Sequence, residues 1–281
     1  MHDIMIKINN SIIQHGLHNN RIYLMHLDKE DMPEILFTLD NMANKNSYTK
    51  IFAKIPYSFS NAYLENGYSV EASIPLFFQG KEDCILVAKY FDVKRSYTEN
   101  IDLNKKVLKN AFMKGTTLLA EGTIFLDNNF LFKKAIPEDA LEMTKLYSEV
   151  FDSYPFPIFD PEYIKQTMCN NVIYFGIWKE SELIALSSCE IDVENRNVEM
   201  TDFAVHPKYR GYNFSYFLLK QMDKEMKNQE IKTAYTIARS NSYGMNATFA
   251  KCGYTFSGTL VNNTQIGGKI EDMNVWYKTL Q

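Results

Sequence analysis

The stretch from Val198 to Ser215 holds the residues of this chain best suited to chemistry. It opens as a strand carrying two carboxylates, Glu199 and Asp202, passes through Phe203-Ala204-Val205 and a His-Pro turn, and ends in Arg210-Gly211-Tyr212-Asn213-Phe214-Ser215. Phe214, Phe217, Leu218, Met222 and Met226 then recur at helical spacing, so the loop runs directly onto a helix N-terminus. The first turn of a helix leaves N–H groups unpaired and carries partial positive charge. Such a loop can cradle an anion as large as a pyrophosphate. The carboxylates can accept protons. By the period-two rule Glu199 and Asp202 lie on opposite faces, and they reach one cleft only if the strand bulges.

The elements around this stretch must position it. Before it, Val172 to Trp178, Leu183 to Asp192 and Val198 to Val205 read as strands with polar turns between them, an antiparallel meander. After it, a helix from about Asn213 to Lys227 and a strand at Thr233 to Ala238 make a parallel crossover. A helix at Tyr243 to Cys252 closed by Gly253, a strand at Thr255 to Val261 and a last strand at Met273 to Lys278 follow. Upstream lie a strand at Phe130 to Ala135, a helix opened by Pro137-Glu138-Asp139, an aromatic loop from Ser153 to Phe159 interrupted by two prolines, and a helix at Pro161 to Met168.

The first half reads as strands at Ile4 to Ile8 and Ile22 to Leu27, then a helix over Asp28 to Leu39 whose regular part begins near Asp31. A strand at Tyr48 to Lys54, a helix at Ser58 to Glu65 and strands at Val70 to Phe78 and Cys84 to Phe91 complete it. Between Asp92 and Asn129 the sequence turns charged and irregular, with a helix around Leu103 to Met113 and a strand around Thr123 to Leu126. The domain junction is placed here, which divides the chain into 1–127 and 128–281. The predicted class is α/β with mixed sheets. Ala53, Asn61 and Ala62 recur at one constant separation as Ala238, Asn246 and Ala247, and Gly67-Tyr68 recurs as Gly253-Tyr254. The shared element order points to duplication; chance likeness between two common αβ units is the alternative.

A chain of 281 residues that is 46% hydrophobic has material for two domains. Its net charge of −4 supplies no basic surface for nucleic acid. No apolar run approaches the ~20 residues that span a bilayer, and a charged, polar N-terminus (His2, Asp3, Lys7) argues against export. Cys84, Cys169, Cys189 and Cys252 form no CxxC pair, so reduced thiols and a cytoplasmic setting are expected. His15-x-x-His18 has no further ligand cluster, and no metal is expected.

With its surrounding elements, the stretch from Val198 to Ser215 resembles the acetyl-coenzyme A motif of the GNAT N-acetyltransferase superfamily: a strand ending in Val-x-Pro, then Arg-Gly, then a tight loop onto a helix. The family usually writes the loop (Gln/Arg)xxGxG. Here Asn213 and Ser215 stand at the glycine places; asparagine tolerates positive φ and serine is small. The likeness covers about Phe130 to Leu280. It implies a complete GNAT fold there, with the smaller N-terminal domain resembling a partial, degenerate GNAT unit. It implies acetyl-CoA as the donor, bound by Phe203, Ala204, Val205, the six loop residues, and Asn241 or Asn246. An alkyl ammonium has a pKa near ~10.4, so a base must deprotonate the acceptor. Glu199 occupies the place where several GNAT enzymes carry their glutamate. Phe249 stands where many relatives have an acidic tyrosine, which leaves Tyr243 as the candidate for that role.

Motifs in both halves narrow the resemblance: Tyr48 to Lys54, Gly67 to Pro75, Ser153 to Pro157, Gly258 to Thr264 and Met273 to Lys278 look like the β-lysine N-acetyltransferases. That implies a small-molecule acceptor, β-lysine, acetylated on its ε-amine to give the compatible solute Nε-acetyl-β-lysine. For such a zwitterion Asn262, Asn263 and Asn274 offer neutral hydrogen bonds and Arg239 offers charge. Tyr154 and Phe156 of the aromatic loop and Asp202 are further substrate-binding candidates. The bland readings are turn asparagines, a strand carboxylate in a salt pair and ordinary aromatic packing. Another amine acceptor or an acyl-CoA-binding regulator are the competing functions. Oligomeric state stays open, a homodimer included.

Overall fold

The computed structural model describes residues 3–116 and 126–280. Two mixed sheets carry the chain. In the first, β1 (Ile4–Ile8), β2 (Ser11–Gly16) and β3 (Arg21–His26) form a meander, and α1 (Glu34–Asn46) crosses to β4 (Lys50–Pro56), which runs parallel to β3. α2 (Ser60–Glu65) then leads to the hairpin of β5 (Ser69–Phe78) and β6 (Glu82–Tyr90), giving the order β1-β2-β3-β4-β6-β5. α3 (Ile101–Thr116) follows.

The second sheet contains β7 (Phe130–Lys134), β8 (Val172–Lys179), β9 (Glu182–Asp192), β10 (Asn197–Val205), β11 (Thr233–Arg239), β12 (Thr255–Ile266) and β13 (Lys269–Thr279). Its helices are α4 (Ala140–Val150), α5 (Pro161–Asn170), α6 (Phe214–Asn228) and α7 (Tyr243–Lys251), and its strand order is β12-β13-β11-β10-β9-β8-β7. α6 buries Phe217, Leu218, Met222 and Met226 in one core with Val198 and Met200 of β10. No helix among the described residues is long and apolar enough to cross a membrane.

The expected α/β class and most elements are present, with local differences. β2 escapes a period-two reading because Ile12 and Ile13 are adjacent, and the strand slips register against β3 at that point. α1 begins at Glu34 rather than near Asp31, because Asp28 caps a separate 3-10 turn over Lys29–Asp31. β12 continues past Val261 to Ile266: Asn262 takes φ +45° inside a bulge instead of ending the strand. Of the strand expected around Thr123 to Leu126, all but Leu126 falls on residues outside the described ones, and Leu126 is not in a strand.

The two sheets repeat one another strand for strand, β1-β2-β3-β4-β6-β5 matching β8-β9-β10-β11-β13-β12. Even their irregularities recur. β5 slips against β6 between Val70 and Ala72 and again between Ile74 and Phe78; β12 slips against β13 between Phe256 and Gly258 and between Leu260 and Thr264. Asn61 and Asn246 sit in corresponding short helices, each followed by a glycine at positive φ, Gly67 and Gly253. The parallel registers Arg21–Lys50 and Asn197–Thr233 equate Lys50 with Thr233, so Ala53 matches Thr236 rather than Ala238. The connection into the short helix is longer in the second half, which shifts the strand match.

The halves pack through equivalent parts. β5 lies against β12 where Gly258 meets Ala72, and a Cβ at 258 would sit 2.0 Å from the Glu71 carbonyl oxygen and 3.0 Å from Ala72 Cα. Flanking contacts are reciprocal. Lys50 Nζ donates to the Val261 carbonyl at 2.7 Å, and the Thr233 hydroxyl reaches the equivalent Pro75 carbonyl at 3.4 Å and the adjoining Leu76 carbonyl at 2.9 Å. Arg21 donates to the Asn263 carbonyl, as Asn197 Nδ2 donates to the Phe77 carbonyl at 3.3 Å. Such reciprocity is the geometry of a two-fold dimer interface, built here within one chain.

Candidate active site

β10 and β11 pair only at Asn197–Thr233, Val198–Ala234 and Glu199–Tyr235. Beyond that point they separate, and a cavity of about 770 Å³ opens with their unpaired edges along it. Val198 and Met200 are fully buried, which by strand alternation turns Glu199 and Thr201 toward the cavity. Between Thr201 and Ala204, β10 carries one residue more than β9, and Asp202 takes φ +55°. This bulge brings Asp202 into the same cavity as Glu199.

The loop into α6 forms the other end. Gly211 has φ +95° with nothing among the described residues within 4 Å of a Cβ position, so the glycine serves its backbone angle and not a tight fit. Asn213, at φ +61°, is the N-cap and makes no side-chain capping bond, which leaves the first N–H groups of α6 available. Arg210, Gly211, Asn213, Phe214, Ser215, Phe203 and Val205 line the cavity. Ala204 is buried in the core behind it, and Tyr212 is exposed and stacked on Phe214.

The sequence reading missed Glu190. It is the register partner of Glu199 on the adjoining strand, and both line the cavity. Two like charges directly opposite in a sheet repel. Burial, reinforced by the charges of Glu199 and Asp202, pushes the Glu190 carboxyl up to about 8. Glu199 is also raised by burial, against the opposing pull of Lys54 and the Tyr235 hydroxyl. Asp202 is raised by burial despite hydrogen bonds from Ser188 at 2.6 Å and Tyr154 at 2.5 Å. Burial and the neighbouring Asp202 in turn lift the Tyr154 phenol well above its ordinary range. The three carboxylates are poorly solvated and repel one another, and a cation placed among them relieves both penalties.

The first sheet also reaches this pocket. Lys54 of β4 lines it, donates to the Tyr235 hydroxyl at 3.3 Å, and lies over the rings of Tyr23 and Tyr235. Register across two strands was the signal for Glu190; Lys54, Arg21 and Tyr23 had no local signal.

Of the remaining candidates, Tyr154, Phe156, Arg239 and Asn263 line the cavity. Arg239 is held by Glu271 through two bonds of 2.6 Å. Asn246, Asn274, Asn262, Asn241 and Tyr243 are not brought there. Asn246 is fully buried; its Nδ2 donates to the carbonyls of Arg239 and Ser242, and its Oδ1 accepts from Asn274 Nδ2 and Trp276 Nε1, both at 2.9 Å. That uses the whole capacity of its amide. Asn274 is consumed in the same cluster and also accepts from the Thr259 hydroxyl. Asn262 Nδ2 donates to the carbonyls of Arg95 and Tyr97. Tyr243 is 39% exposed at the start of α7. His206 accepts from the Lys208 N–H in its turn, and His15 bonds the Tyr48 hydroxyl. Among the described residues no group of three His, Cys, Asp or Glu could hold a metal.

Residues 143–254 match the acetyltransferase (GNAT) family. A β-lysine N(6)-acetyltransferase of Methanococcus maripaludis is 42% identical over 274 residues, 98% of this chain and 98% of its own length. The chain belongs to the GNAT acetyltransferase family. A second β-lysine N(6)-acetyltransferase, of Methanosarcina mazei, is 31% identical and covers 88% of this chain and 97% of its own. The N-acetyltransferase YodP of Bacillus subtilis is 29% identical over 96% of each chain.

GNAT acetyltransferases use acetyl-CoA, and the site fits it. The uncapped start of α6 beside Arg210 suits the pyrophosphate, and the unpaired strand edges suit an extended amide-bearing arm.

Proposed function

We propose that this GNAT enzyme transfers acetyl from acetyl-CoA to the N6 amine of β-lysine, giving a compatible solute. The observation that carries the reading is the bulge of β10, which collects Glu199 and Asp202 with Glu190 in the cleft between the splayed strands. The names of the two β-lysine N(6)-acetyltransferase relatives supply the acceptor. Acetyl-CoA, when bound, supplies the acetyl thioester. Arg210 and the free N–H groups of α6 hold its phosphates, with Ser215 and Gly211 leaving room for backbone approach. The acidic pocket draws in the ammonium, and Glu199 accepts its proton, directly or through water, while burial and the charges of Glu199 and Asp202 keep the adjoining Glu190 largely protonated. Tyr154 and Ser188 keep Asp202 fixed.

One CoA site per chain follows, in the domain spanning 128–281. The start of α1, which corresponds to that of α6, has Pro33 at its N-cap and follows a turn carrying Glu30 and Asp31. Pro33 has no N–H to give and the acids repel phosphate. A cytoplasmic setting is supported by four free cysteines, three of them buried. The test is thiol release from acetyl-CoA with a panel of amines. β-Lysine should be turned over fastest; faster turnover of a polyamine or a protein N-terminus would replace the acceptor, and no turnover with any amine would favour a binding role.

A further inference from the structure

The two halves of the chain bring opposite charges to the cavity lining. β9 and β10 present Glu190, Glu199 and Asp202, while β3 and β4 of the first sheet present Arg21 and Lys54. These cations gather about one ring: the Arg21 guanidinium carbon lies 5.2 Å and Lys54 Nζ 5.5 Å from the centroid of Tyr23. Among the described residues neither has a carboxylate at ion-pair distance, although Glu199 acts on Lys54 with the Tyr235 hydroxyl between them. Arg21 is only 4% exposed, and among the described residues its buried Nε has no partner and Oδ1 of the neighbouring Asn263 is likewise unpaired.

Packing does not account for the charge at position 21. Arg21 Nη1 bonds the Asn263 carbonyl and, at 3.1 Å, the Thr264 hydroxyl across the junction of the halves, and the pseudo-symmetric bond to Phe77 is made by the neutral amide of Asn197. A buried guanidinium with no counter-anion costs stability unless something else repays it. A ligand anion would do so.

We propose that Arg21 and Lys54 bind the carboxylate of the acceptor, so that the first sheet selects an amino acid over a simple diamine. The proposal rests on the reading of the site as one for a small amine. β-Lysine carries both a carboxylate and the reacting ammonium, and the cavity lining offers cations from the first sheet and carboxylates from the second.

The experiment compares kcat/KM within pairs that differ by the carboxylate: β-lysine and 1,4-diaminopentane, lysine and 1,5-diaminopentane, ornithine and 1,4-diaminobutane. The protein should favour the carboxylate-bearing member of the pair it uses by about 10- to 100-fold, the worth of charged hydrogen bonds. Lys54→Met should cut that preference about tenfold through KM, and Lys54→Arg should keep most of it. Arg21→Met should act in the same direction; should it fail to fold, the Lys54 pair and the unaltered protein still decide. Absence of preference in the unaltered protein, its survival in Lys54→Met and Arg21→Met, or equal slowing of both pair members would overturn the carboxylate site. Preference within the lysine or ornithine pair alone would instead remove β-lysine as acceptor and leave the carboxylate site standing.

Discussion

Replacing Asn246 with alanine separates two roles that the family resemblance and the geometry give this residue. In the structure its Oδ1 is the acceptor for two fully buried donors, Asn274 Nδ2 and Trp276 Nε1. Its own Nδ2 bonds carbonyls that each keep another donor: Arg239 O still accepts from Ser242 N at 3.1 Å, and Ser242 O from Asn246 N at 3.2 Å. Asn246→Ala therefore orphans two buried N–H groups, each costing about 1–3 kcal/mol, for a total of roughly 2–6 kcal/mol. That is a large share of a typical stability of about 5–15 kcal/mol. Urea unfolding should show it as a lower midpoint, while CoA affinity of the remaining folded protein, measured by calorimetry, stays close to that of the parent. Unchanged stability with weakened CoA binding would refute the buried-hub account and restore Asn246 as a cofactor contact.

Glu199→Gln should lower turnover near pH 7 by about 10²–10⁴ with CoA affinity nearly constant, and part of the loss should return at higher pH, where more of the amine is neutral. Full activity across that range would leave Glu199 a strand carboxylate. Glu190, at about 8 when folded against 4.5 as a free side chain, holds more protons in the folded state, so its contribution to stability is present at low pH and lost as pH rises from about 5 through 8. Denaturant midpoints of the ligand-free protein should fall over that window, and the fall should be smaller in Glu190→Gln. Ser215→Leu should weaken CoA binding by at least about 1–3 kcal/mol, as crowding of a close-fitted site does; unchanged calorimetric affinity would place the loop away from the phosphates. Gly258→Val forces side-chain atoms toward the Glu71 carbonyl, where a Cβ already lies at 2.0 Å, and should destabilise the protein by more than about 1–3 kcal/mol. A neutral melting temperature would contradict the close approach of β5 and β12.

What the sequence made legible was local. The loop from Arg210 to Ser215 could be read because strand, turn and helix start are consecutive, and the bulge condition for Asp202 could be stated because period two is a strict rule. Asn246 is the asparagine that family position suggests for the cofactor, Asn274 a neutral donor for the zwitterion and Tyr243 a substitute for the tyrosine that Phe249 replaces; in the fold Asn246 and Asn274 spend their amides on each other and on neighbouring groups, and Tyr243 lies half-exposed at the start of α7. Asn262-Asn263-Thr264 reads as a turn, but a bulge absorbs Asn262 and the strand resumes. Glu190 needed sheet register, which is a property of two strands together. Arg21, Tyr23 and Lys54 needed the packing of one half on the other, for which one-dimensional spacing carries no signal. The duplication was visible as a few matched residues; its strength lies in paired bulges and reciprocal bonds that only the fold displays.

The most direct test of the central claim is the identity of the product formed from acetyl-CoA and β-lysine, resolved by NMR for the position of the acetyl group and matched against thiol released. The account predicts one CoA freed per molecule of product, acetylated on N6 alone. Acetylation at N3, or CoA binding with no product, would contradict it.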